Sequence, residues 1–204
     1  MSRFTVHGII GSPFMRSVLM CFEEKGVPYQ LHSIRPGEHK QPDYLALNPF
    51  GRIPAMTDGD FKLYETQAIL RYLDRLFPQP ALIPADARVE ARMNQLIGIN
   101  DWYVFPEIGV GIVFHRIIAP MIGLPSDEAK VKETVPKAET CGKEIAHLLG
   151  DQPFMAGNAL SIADLMLAPQ LEYFAATPEG QSILASAPNI GAWLSRMAAR
   201  ERRK

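Results

Sequence analysis

Ser12, Pro13, Phe14 and Met15 follow the apolar, β-branched run from Phe4 to Ile10 and open a helical pattern, so they sit where a strand gives way to a helix. At such a junction, unpaired backbone N–H groups and the positive end of the helix dipole favour a nearby anion, including a thiolate. Serine and methionine stand where a Cys-x-x-Cys pair would need thiols, which excludes a catalytic disulfide here. The Ser12 hydroxyl can instead donate a hydrogen bond to a bound thiolate, favouring the charged form and lowering the thiol pKa from its usual ~8.5. It can equally be an ordinary helix cap.

Two further positions share this double character. Pro54 opens a strand-like run; a cis Ile53-Pro54 bond would expose the Ile53 backbone for strand-like pairing with a peptide, whereas a plain edge-strand proline would do nothing. Glu65 and Thr66 lie between a hairpin and a helix. An acid followed by a hydroxyl residue at a helix start offers one group to a free amine and another to a free carboxylate, the two halves of an amino-acid end. The same pair can also do no more than cap the helix.

Other chemistries find no support. His7, His32, His115 and His147 show no metal-ligand spacing, so no metal is expected, and neither a Gly-x-Gly-x-x-Gly nor a Walker motif is present. A net charge of -1, with 21% charged and 47% hydrophobic residues, describes an ordinary globular chain with no field to attract nucleic acid. Cys21 and Cys141 fall far apart within helical patterns, as packed reduced thiols do, which suits a cytoplasmic setting. The N-terminus lacks the roughly 7–15-residue apolar core of a signal peptide. The longest apolar run, residues 108–123, is cut by His115, Arg116 and Pro120 short of the ~18 residues of a span, so no membrane is expected.

The elements that must position these residues follow from periodicity. Residues 4–10 read as a strand, 14–25 as a helix stopped by Gly26, and 29–34 as a second strand, followed by a polar loop with a weak helix through Leu47. Asp58-Gly59-Asp60 between short strand-like runs is a hairpin signal, and residues 66–77 carry apolar residues at helical spacing. The order is βαβ, then ββα. Pro78, Pro80 and Pro84 mark a linker, after which the segments 88–119, 127–149, 161–175 and 188–200 are all helical in pattern. The expected division is residues 1–79 and residues 88–204.

Ser12 with Arg16-Ser-Val-Leu, Glu23-Glu-Lys-Gly-Val, Gly37-Glu-His-Lys40, Leu47-Asn-Pro-Phe-Gly-Arg-Ile-Pro54, Asp58-Gly-Asp60 and Glu65-Thr-Gln-Ala-Ile69 together resemble the glutathione transferases, most closely the phi-like serine-type class. Phe154-Met-Ala-Gly157 with Leu160-Ser-Ile-Ala-Asp164 resembles that family's helix-capping segment. The resemblance implies a thioredoxin-like α/β N-terminal domain that binds glutathione and an all-α C-terminal domain that forms the electrophile site. It implies that Ser12 stabilises the thiolate, that His39 and Lys40 contact the glycine end, that Ile53 beside Pro54 pairs with the cysteinyl unit, and that Glu65 and Thr66 hold the γ-glutamyl end. Arg52 stands where the class usually has Gln, placing a cation near the peptide, and Thr66 stands where it has Ser.

The implied activity is attack of the thiolate on an apolar electrophile in detoxification; peroxide reduction by the same thiolate, or a non-catalytic glutathione carrier of the same fold, are the alternatives. A homodimer is implied too, with Phe50 either its hydrophobic key or a local core anchor. Trp102, Tyr103, Phe105, Phe114 and Met121 either line the electrophile site or pack as core. Within 161–164, Ser161 and Asp164 have the spacing of a capping box, with Leu160 and Leu165 as its staple.

Overall fold

Phe4, Val6 and Gly8 are buried while Thr5 and His7 between them are half-buried, the period-2 pattern of a strand in the middle of a sheet. The computed structural model, which describes residues 3–201, places this strand, β1 (Phe4–Gly8), at the centre of a four-stranded sheet ordered β2-β1-β3-β4. β2 (Tyr29–Ser33) runs parallel to β1 across the helix α1 (Pro13–Lys25). β3 (Ala55–Asp58) and β4 (Phe61–Tyr64) form an antiparallel hairpin on the other side, turned at Gly59 with φ of 57°. A 3-10 turn (Glu38–Lys40) and the short α2 (Pro42–Leu45) occupy the loop before β3, and α3 (Thr66–Leu76) closes the first unit, Met1–Ile83.

Val18 and Phe22 of α1 and Ile69, Leu70 and Leu73 of α3 are fully buried. The Phe4 ring lies 5.4 Å from Phe22 and 6.0 Å from Phe77. α1 ends at Gly26, whose φ of 63° is the left-handed conformation that lets its N–H return to Phe22 and Glu23. Lys25, the last residue of α1, is an unforeseen tie. Its buried ammonium lies 2.5 Å from Asp74 of α3 and also donates to the Pro80 carbonyl, while Asp74 accepts from the Leu82 amide at 2.8 Å. Both charges therefore have partners, as burial demands.

On the sheet's other face His7 and His32 stand side by side, rings 5.1 Å apart, and the His7 Nε2 is buried without a hydrogen-bond partner among the described residues. Burial, and then the His32 charge, hold the His7 pKa below the ordinary histidine range. The folded chain thus sheds a proton that the unfolded chain keeps. Stability from this term is full above about pH 6.5 and is lost as the pH falls through that value toward the lowered folded one. The urea midpoint of wild type, followed by circular dichroism, is expected to fall between pH 7 and pH 5 more steeply than that of His7→Gln. Parallel curves would refute this.

The second unit, Pro84–Lys204, is helical. α4 (Ala87–Ile99) continues through a π-helical stretch (Asn100–Ile118) into α5 (Ala119–Met121), followed by α6 (Glu128–Leu149), α7 (Ile162–Ala175), α8 (Pro178–Leu184) and α9 (Pro188–Glu201). The run Ala87–Met121 corrects the sequence reading. It passes uninterrupted through Pro106 and Pro120, and by length and composition it is apolar enough to cross a membrane, with a mean hydropathy of 1.4 over 18 residues. His115 and Arg116 fall near its end and leave that window intact. Its apolar character has a use within the unit: Val104, Ile108, Ile112 and Val113 are buried, and the stretch packs on α6 and α7. Arg116 pairs with Glu128 of α6 and Glu179 of α8, each at 2.6 Å, fastening its far end.

α7 is buried without a break from Ile162 to Leu171, as a central helix must be. A capping box joins Ser161 and Asp164 at its start. Of the aromatic and sulfur side chains with two readings, Trp102, Tyr103 and Met121 are exposed, at 78%, 59% and 77%, and are not core. Phe105 and Phe114 are half-buried.

Candidate functional site

Strand register brings the candidate residues of the first unit to one end of the sheet. His7 of β1 pairs with Ala55 of β3, and Ala55 with Tyr64 of β4, while Gly8 pairs with Ser33 of β2. The chain leaving β1 toward Ser12, the chain leaving β2 toward His39 and Lys40, the approach to β3 through Arg52, Ile53 and Pro54, and the exit from β4 at Glu65 and Thr66 therefore share that end. It is the carboxyl end of the two parallel strands, where open α/β sheets characteristically bind ligands. Gly8 permits the convergence: a Cβ there would lie 2.8 Å from the Met15 sulfur and 3.6 Å from the Ile53 Cβ.

Ser12 caps α1 from an extended conformation, with Gly11 before it at φ of 91° and Pro13 in the first helical position. Its Oγ accepts from the Met15 amide at 3.5 Å, a long bond, and its own proton has no acceptor among the described residues. The first turn of α1 carries no acidic side chain, so nothing there offsets the positive helix end. A half-buried hydroxyl with a proton to give, over an uncompensated helix terminus, is suited to an anion.

His39 and Lys40 lie on the 3-10 turn. The Lys40 ammonium donates to the Gly51 carbonyl at 2.8 Å, and the His39 Nδ1 accepts from the Gly37 amide at 3.3 Å. Burial and the Lys40 charge hold the His39 pKa low. Gly51 has φ of 54°, and a Cβ on it would sit 2.9 Å from the His39 carbonyl oxygen, so glycine lets the two segments meet. Arg52 comes next. Its carbonyl accepts from the Tyr44 hydroxyl and from the Asn48 amide, both at 2.9 Å, while its guanidinium is exposed and has no partner among the described residues. Burial pushes the Tyr44 phenol up to about 12, which keeps it a donor.

Sequence reasoning missed Tyr44 and Asn48 as the residues that hold this segment. Asn48-Pro-Phe-Gly carries the signal for the second of them, since an asparagine that accepts from the amide two residues on, here Phe50 at 3.1 Å, marks a side-chain turn.

The Ile53–Pro54 bond is cis, Pro54 is buried, and the Ile53 N–H and C=O have no hydrogen-bond partner among the described residues. Glu65 is the one described non-glycine residue with positive φ, at 70°. Such a conformation costs on the order of 1–3 kcal/mol and persists where the surroundings impose it. Glu65 is the N-cap residue of α3, its carbonyl accepting from the Ala68 and Ile69 amides, but its exposed carboxylate makes no capping bond. Thr66 is buried at the first helical position. The sheet end thus brings together the anchored Lys40 ammonium, the exposed Arg52 guanidinium, and a hydroxyl proton, a backbone N–H and C=O and a carboxylate that have no partner among the described residues. Such a set of groups can hold an extended ligand that carries a carboxylate at one end and an amine at the other.

Residues 6–81 match the glutathione S-transferase N-terminal domain and residues 128–196 the glutathione S-transferase C-terminal domain. A glutathione S-transferase of Hyoscyamus muticus is 30% identical, covering 96% of this chain and 93% of that protein. Among solved structures, glutathione transferase F7 from Populus trichocarpa superposes with a TM-score of 0.86 at 28% identity, covering 96% of this chain and 93% of that one. Glutathione S-transferase I from mais, in complex with an atrazine glutathione conjugate, gives 0.85 at 29% identity over 98% and 93%.

Proposed function

Because the chain belongs to the glutathione S-transferase family, and is most like its phi class, we propose that it is a transferase in which Ser12 stabilises the glutathione thiolate for attack on an apolar electrophile. Glutathione lies along the sheet end: glycyl carboxylate toward His39, Lys40 and Arg52, cysteinyl backbone on Ile53 beside Pro54, γ-glutamyl group at Glu65 and Thr66. The thiol proton leaves to solvent as the complex forms, and the Ser12 O–H donates to the sulfur left behind. The sulfur then forms its bond to the electrophilic carbon of an apolar substrate, and the leaving group departs from that carbon with the bonding electron pair.

The observation that carries this reading is the convergence at one sheet end of three groups that have no partner among the described residues, namely the Ser12 hydroxyl proton, the Ile53 backbone and the Glu65 carboxylate. Calorimetric titration with glutathione tests it. Wild type should bind. Glu65→Ala should weaken binding by roughly 10- to 100-fold, the worth of a charge-assisted contact of about 1.5–3 kcal/mol. An unchanged dissociation constant would remove Glu65 from the site, and glutathione binding by wild type without any conjugating activity would make the protein a carrier.

The reading extends to a homodimer. Phe50 supports it, being 66% exposed with its ring against Tyr64 at 5.9 Å, which is no place for a local core anchor. Sedimentation at micromolar concentration should give twice the 22.7 kDa chain mass, and a monomer would refute the dimer.

A further inference from the structure

We infer that Arg52 makes this site selective for tripeptide thiols whose C-terminal residue carries a second carboxylate, an inference that rests on glutathione binding as proposed above. The argument is one of unmatched charge. A glycyl end brings one negative charge to this corner of the sheet, and Lys40 already supplies one permanent cation whose position is fixed by its bond to the Gly51 carbonyl. Arg52, the residue after Gly51, adds another. With glycine bound, positive charge is in excess.

Among the described residues the Arg52 guanidinium has no ion-pair or hydrogen-bond partner. The nearest acid in the turn, Glu38, is engaged with the Arg35 amide at 2.8 Å. An exposed arginine is ordinarily just a solvated charge. Arg52 differs in that its main chain is immobilised by Tyr44 and Asn48, so the fork of five donors swings from a fixed origin beside Lys40. A planar carboxylate one side chain away from the peptide terminus is the group that such a fork binds bidentately. Glutamine, which the class usually has here, could offer two donors and no charge.

The probes are γ-glutamyl-cysteinyl-glutamate and its neutral isostere γ-glutamyl-cysteinyl-glutamine, with glutathione as reference, titrated calorimetrically into wild type and Arg52→Gln at fixed ionic strength. The readout is the ratio of the two probe dissociation constants within each protein, so a general change in affinity cancels. Wild type should bind the glutamate peptide about 5- to 10-fold more tightly than the glutamine peptide, and Arg52→Gln should bring the ratio near one. Raising the salt should shrink the wild-type ratio, because the pair is exposed. Equal affinities in wild type, or a preference that survives Arg52→Gln, would overturn the inference while glutathione binding left the underlying reading intact. Failure of all three peptides to bind wild type would overturn both.

Discussion

Ser12→Ala is expected to lower turnover by ~10-fold or more while glutathione remains bound, because what is lost is a hydrogen bond to a charged sulfur and little else. Such a bond contributes about 1.5–3 kcal/mol, and one pKa unit is 1.36 kcal/mol, so the bound thiol should titrate about 1–2 units higher in the variant. The sign follows from which state the hydroxyl favours. It donates to the thiolate and has far less to offer the neutral thiol, so its removal penalises the charged form and raises the pKa toward the ordinary ~8.5. The Ser12 Oγ holds the Met15 amide at only 3.5 Å, so the variant forfeits little helix capping and should fold. Ultraviolet absorbance of the thiolate as a function of pH, on wild type and variant saturated with glutathione, reads this shift directly. Coincident titration curves would take Ser12 out of the mechanism and leave the end of α1 as the only local source of thiolate stabilisation.

The elements that position Ser12 were legible because short-range chemistry decides them. Asp58-Gly59 needs positive φ and makes the hairpin, Gly26 ends α1 in the left-handed region, and Pro13 opens it. What sequence could not supply was set by contacts between distant residues. β1 was expected to reach Ile10 but stops at Gly8, where the chain turns away over Met15 and Ile53. Lys25, which nothing in the sequence singles out, is a buried partner of Asp74, 49 residues away in sequence. The helical segment 88–119 is found as Ala87–Met121, whereas the apolar run 108–123 reads in sequence as cut by His115, Arg116 and Pro120, and packing against α6 and α7 carries the helix past all three. In the site, the residue types at Ser12, Ile53 and Glu65 were readable with two meanings each. Glu65 is the N-cap residue of α3 through its carbonyl, while its side chain makes no capping bond and its φ is positive, features without a sequence signature.

Asp164 should prove the most costly single side chain to remove from the helical unit. Its carboxylate is fully buried and accepts four hydrogen bonds, from the amides of Met155 and Ser161 at 2.8 and 2.9 Å and from the Ser161 hydroxyl and the Trp193 indole at 2.8 Å each. Those donors belong to the segment before α7, to its cap and to α9, so one side chain closes three pieces of the unit on one another. Asp164→Ala leaves all four donors in the core without an acceptor, and the expected loss is about 3–5 kcal/mol, a large share of a typical total of about 5–15 kcal/mol. Asp164→Asn keeps the volume and one acceptor but turns an NH2 group toward donors, so it should recover only part of the loss. Ser161→Ala removes one of the four donors and leaves the carboxylate three others, so it should cost less, about 1.5–3 kcal/mol. The two tryptophans, Trp102 and Trp193, both lie in Pro84–Lys204, so urea unfolding followed by tryptophan fluorescence isolates this unit. A midpoint for Asp164→Ala no lower than that of Ser161→Ala would mean that water or rearranged side chains satisfy the donors, and that the helical unit is held by its apolar contacts alone.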